Sequence, residues 1–218
     1  RGERAALRYV RELALLLKVV PRELQHLRHG DTGPVTVYVL RYSGQVEDLI
    51  HDDRPWYFAD LWYHGAPAER SLVLGLFSGA RRSLDYVYAR YLFGGGPIGT
   101  PMHWWQEGLT NYFRYTEIDR GHYYFGGRAQ RRTESLDAVR AAIDLITTPT
   151  TYGQLTPGDR GKFSYYSYRL VRLLVDNRKS WEDFALRLGL YIDMVEDGAD
   201  YSSAFEKAFD LTMDELAR

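Results

Sequence analysis

The stretch SLDYVYARYLFGGGPIGTPMHWWQEGLTNYF, Ser83 to Phe113, decides how the rest of the chain is read. Leu84, Val87, Tyr88, Tyr91 and Leu92 fall at helical spacing and predict a helix with one face on a core. Gly94, Gly95 and Gly96 supply the permissive backbone that ends such a helix. Thr100 is placed to cap a second helix, with Pro101 at its first position, where a missing N–H costs nothing. That helix runs to about Phe113 and is expected to bury Trp105, Leu109, Tyr112 and Phe113.

The second helix is where the chain resembles a known family. Trp104, Glu107, Gly108, Leu109, Tyr112 and Phe113 stand in register with the P-x-W-x-x-E-G-L-A-x-Y-F helix of the gluzincin zinc peptidases, most closely the bacterial peptidase MA-like domains. In that family an earlier helix carries H-E-x-x-H. Here Leu84-Asp85-Tyr86-Val87-Tyr88 occupies those positions, and eighteen residues separate Tyr88 from Glu107, as in the aminopeptidase-type members. The resemblance implies an α+β, zincin-like fold: a mixed, twisted β-sheet, then the active-site-type helix, then a mainly helical C-terminal lobe. It also implies a bacterial protein, with export to the periplasm left open.

The substitutions remove the family's chemistry. Histidines at i and i+4 bind zinc from one helical face, and the glutamate between them serves as general base to a zinc-bound water. Leu84 has no donor atom, and the Tyr88 phenol titrates near 10 when unperturbed. Asp85 is one methylene shorter than glutamate. Of the family's ligands only Glu107 remains, and one carboxylate does not hold a catalytic zinc. The expectation is therefore a pseudopeptidase with no catalytic residue and no zinc. Glu107 would be hydrogen-bonded to Tyr88 or Asn111, and Leu84 would fill the volume of a lost imidazole. A rebuilt metal site stays open as the alternative, with His103 and Glu107 at i and i+4 and Asp85 from the facing helix. Its oxygen-rich donors would suit a hard cation better than zinc.

Outward from this centre, residues 3–28 predict a long helix with Leu7, Val10, Leu13, Leu17 and Val20 as its apolar stripe, breaking at Pro21. Pro34 to Tyr42 alternates and is rich in β-branched residues, which predicts a strand. A short helix over 44–50 follows, then strands near Trp56–Tyr63 and Ser71–Phe77. The resemblance implies that the Ser71–Phe77 strand edges a cleft, where a peptide would pair with it. Residues 120–132 read as a loop or hairpin carrying Arg128, Arg131 and Arg132. A helix opens at Thr133, residues 146–160 read as irregular, a helix spans 161–177, and further helices close the chain from Trp181. His26 and His29, three apart, read as a solvated helix end rather than a metal pair, and His51 and His64 sit beside turn residues with no functional role expected. Gly75-Leu-Phe-Ser78-Gly79 lacks the spacing of a nucleophile elbow, and Gly94–Gly96 lacks the lysine and Ser/Thr of a P-loop.

Composition sets the outer limits. The 218 residues form one expected domain, 1–218, with a first part over 1–93 and a helical part over 94–218, excised from a longer chain. The net charge of −1 argues against a nucleic-acid binder, and the absence of cysteine removes thiolate chemistry. No apolar run is long enough to span a membrane. The expected partner is a peptide or protein held in the retained cleft; the oligomeric state is left open. Five tryptophans and eighteen tyrosines are placed at a sheet–helix interface by this reading.

Overall fold

The computed structural model describes residues 4, 7, 10, 11, 14, 18, 20–27, 36–40, 61–66, 69–75, 89, 92–93, 103–119, 122–126, 136–148 and 155–216. Leu84, Asp85, Tyr88, Thr100, Pro101, His29, His51, the glycine run 94–96 and the arginines at 128, 131 and 132 lie outside them. So do the helix predicted over 44–50 and the side chains of His26 and His64.

The described residues are mostly helical, which overturns the α+β, zincin-like expectation. Helix α1 spans Trp104–Arg114, α2 Leu136–Thr147, α3 Pro157–Asp176, α4 Trp181–Glu196, α5 Tyr201–Phe209 and α6 Met213–Leu216. A 3-10 turn covers Arg22–Leu27, preceded by helical backbone at the described positions from 4 to 18. Among the described residues strand is limited to β1 (Thr36–Leu40), β2 (Leu61–Ala66) and β3 (Glu69–Gly75), and to a small ribbon of β4 (Glu117–Asp119) and β5 (His122–Tyr124). In the first patch β3 lies between β1, to which it is parallel, and β2, to which it is antiparallel. Among the described side chains, the buried apolar ones belong to helices or to residues flanking them. Among the described side chains, Trp104, Tyr191 and Phe205 pack helix on helix. Strand preference in aromatics reflects packing on neighbours, and a helical neighbour serves as well.

Helix α1 forms the middle of this core. Every residue from Trp104 to Phe113 is buried. A helix buried all round must find neighbours on every face, and α3 is the closest of them. Gly108 permits that approach. A Cβ placed there would meet the Val171 side chain and would lie 2.5 Å from the Ser167 backbone oxygen. Trp104 reaches the far side, where its ring packs on Tyr191 and Phe205 and its Nε1–H donates to the Tyr191 hydroxyl at 3.1 Å. Burial pushes the Tyr191 phenol up to about 12, so that hydroxyl is neutral across the ordinary range. Trp181, at the start of α4, packs against Tyr112, Phe113, Phe125 and Phe184 with ring centroids between 5.6 and 6.0 Å apart.

Local signals explain where the helices begin. Thr156 caps α3 by accepting from the Asp159 N–H, and Pro157 takes the first turn. The segment expected to be irregular through 160 therefore ends early: its second proline starts a helix rather than breaking one. Ser180 and Asp200 cap α4 and α5 in the same way, accepting from Asp183 and Ser203. At α1 the expected cap is corrected. His103 is the N-cap, with extended backbone at φ −74° and ψ 161°, and the Gln106 side chain accepts from the His103 N–H at 2.9 Å. The glutamine at N3 supplies half of a capping box, which fixes the start three residues after Thr100.

Two further features tie the helices to their surroundings. Gly126 adopts φ +69° with the Tyr112 ring against its α-carbon, and its carbonyl accepts from Tyr168 and Arg172 of α3. The expected apolar stripe of the first helix is only partly buried. Val20 is 2% exposed, whereas Leu7 and Val10 are 50% and 46% exposed. No helix among the described residues is long and apolar enough to cross a membrane.

The helix contact at Gly108 yields a direct prediction. Gly108→Ala is expected to destabilise the protein by about 1–3 kcal/mol, because a backbone oxygen cannot rotate away from the new methyl group. Chemical denaturation measures this. The exposed Gly161→Ala, with open space around its α-carbon, is the control and is expected to be neutral or stabilising.

Candidate functional site

Glu107, the residue that resembles a zinc-peptidase ligand in the sequence, projects from the first turns of α1 and is fully buried, at 0% exposure. Its Oε1 accepts from Asn111 Nδ2 at 2.9 Å and from the Ser164 hydroxyl of α3. Asn111 Nδ2 also reaches the Glu107 backbone oxygen at 2.9 Å. Asn111 is one turn along the same helix, the spacing at which side chains meet. Ser164 comes from the neighbouring helix, so this carboxyl group links α1 to α3. Gln106, Thr110 and Ser167 add further buried polar groups to these two helices. Among the described residues the hydroxyls of Thr110 and Ser167 have no hydrogen-bond partner.

Of the alternative metal site, His103 and Glu107 are described, while Asp85 lies outside the described residues. His103 is the N-cap residue of α1, in extended conformation, and Glu107 lies in the first turn of the helix. The His103 carbonyl accepts the Glu107 N–H at 3.1 Å, closing the first turn. Among the described residues no group of three His, Asp or Glu side chains is placed to hold a metal ion. Around Glu107 the described donors are an amide and a hydroxyl, both already directed at its oxygen.

The cleft-edge expectation is also corrected. The strand predicted over Ser71–Phe77 corresponds to β3, which is the middle of its patch, with β1 on one side and β2 on the other. Peptide addition needs unpaired backbone along an edge. Between Glu69 and Gly75 both sides of β3 are taken by neighbouring strands.

Ser164 is the residue that sequence reasoning missed. The signal was present as small residues on α3, Ser164 and Ser167 three apart, continuing to Val171. Such a row admits a close helix, and Gly108 faces it. Tyr112, read as a core residue, is buried at this end of α1, and burial together with Asp176 pushes its phenol well above the ordinary range. A phenol held neutral in this way is a packing group.

If the carboxyl group of Glu107 serves as the pin between these helices, its replacements should rank by hydrogen-bonding capacity. Glu107→Gln keeps an acceptor for Asn111 and Ser164 and is expected to cost less than about 1 kcal/mol, within the usual net value of a hydrogen bond. Glu107→Ala leaves the Asn111 amide buried without that acceptor and is expected to cost at least a further 1–3 kcal/mol, by the approximate penalty for such a group. Paired urea unfolding curves read the difference.

In the comparisons with known proteins, the chain matches no family model, no curated protein and no solved structure.

Proposed function

We propose that this chain is a non-catalytic, metal-free relative of the zinc peptidases that serves as a protein-binding or modular scaffold domain. The supporting observation is the use made of Glu107. Its carboxyl oxygen is occupied by Asn111 and Ser164 inside a helix–helix contact, where a catalytic ligand would face a metal and an open coordination position. The sequence supports the same reading, since Leu84 and Tyr88 replace both imidazoles and Asp85 replaces the general base. A peptide paired along Glu69–Gly75 is not part of this proposal, because β3 has strands on both sides.

Metal uptake tests the reading. The purified protein, dialysed against zinc and analysed by mass spectrometry under native conditions, is expected to carry no stoichiometric metal. The variant Leu84→His/Asp85→Glu/Tyr88→His is expected to take up one zinc per chain. Stoichiometric zinc in the parent would overturn the proposal in favour of a peptidase with atypical ligands. Failure of both to bind would remove the kinship with zinc peptidases while leaving the role of Glu107 intact.

A further inference from the structure

Two exposed helix faces lie outside everything described so far. On the first helical segment Arg4, Leu7, Val10, Arg11, Ala14 and Lys18 are all exposed, giving a basic stripe with an apolar centre. On α4, Glu182, Leu186, Leu190, Asp193 and Asp197 at its C-cap are exposed, giving an acidic stripe with an apolar centre. Leu186 is 67% and Leu190 45% exposed, values that stand apart in a helix whose other face carries Phe184, Leu188 and Tyr191 into the core. Among the described residues none of the six charged groups on the two stripes enters an ion pair.

The stripes match in spacing as well as in charge. With the helices parallel and Leu7 level with Leu186, Arg11 falls level with Leu190 and Lys18 with Asp197. Arg4 then lies level with Asp183, beside Glu182. Leu7 then meets Leu186 and opposite charges lie towards both ends, the arrangement that selects a partner by complementarity. Within one molecule the 3-10 turn Arg22–Leu27 that follows the basic helix packs on α4. A two-fold axis then satisfies both stripes at once, each copy giving its basic helix to the acidic face of the other.

We infer that the chain forms a homodimer through reciprocal docking of the Arg4–Lys18 face of one copy on the Glu182–Asp197 face of a second. The contact is independent of Glu107 and of any peptidase kinship. It removes from water the exposed leucines that the fold otherwise leaves uncovered.

Sedimentation velocity on the 218-residue protein tests this. The parent is expected to be a dimer that weakens as salt rises, through screening of the flanking charges. Leu186→Asp is expected to raise the dimer Kd by about tenfold or more, since it places a charge in the apolar centre. At 67% exposure this residue is replaceable without unfolding, and circular dichroism confirms that. Lys18→Glu and Asp197→Lys are each expected to weaken the dimer, and combining them in one chain to restore it. A monomeric parent, a dimer indifferent to Leu186→Asp, or a double charge swap that fails to restore association would overturn the inference.

Discussion

The close contact between α1 and α3 is the constraint on which the rest of the structure depends. Helix α1 is polar at Gln106, Glu107, Thr110 and Asn111, yet it lies in the middle of the core with all of them buried. Burying such groups is costly where their hydrogen bonds are not made internally. Glu107 meets that demand through Asn111 on its own helix and Ser164 on the next, and Gly108 brings the two backbones near enough for the second bond. Removing either the small residue or the carboxyl group undoes the same contact from opposite sides.

With α1 fixed against α3, the aromatic residues close around it. Trp104 anchors the face towards α4 and α5 through Tyr191 and Phe205, while Phe113 meets Phe93, Phe125 and Trp181 at the other end. Rings of this size bury large apolar areas and tolerate tilted and edge-on geometries, so they fill the irregular space between crossing helices. The carboxyl group that would serve chemistry in a zinc peptidase thus sits within a packed shell, directed at helix contacts. This is the observation that supports the scaffold role proposed above.

Much of the helical part was legible in the sequence, and the failures have specific causes. Helices over 161–177 and from Trp181 onward were read from their spacing, whereas the caps at Thr156, Ser180 and Asp200 were not, which is why α3 begins earlier than expected. The start of α1 was misjudged because Thr100 and Pro101 form a plausible cap, while Gln106 provides the one actually used. Leu7 and Val10 obeyed helical spacing yet lie exposed: periodicity identifies an apolar face without saying what covers it. The α+β expectation failed because alternating and aromatic segments were given the weight of a whole sheet, whereas the described core is made by helices. Within the candidate site, Glu107 and Asn111 are legible from their spacing of four. Ser164, fifty-seven residues from Glu107, depends on a pairing of helices that no local pattern encodes.

The most direct test of the central claim is a double-mutant cycle on Glu107 and Ser164. Stabilities of the parent, Glu107→Ala, Ser164→Ala and the combined variant give the energy that the two side chains share. Residues in direct contact within one network are expected to couple by roughly 0.5–3 kcal/mol. A coupling in that range would establish the carboxyl group as the link between α1 and α3. Strict additivity of the two substitutions would contradict it.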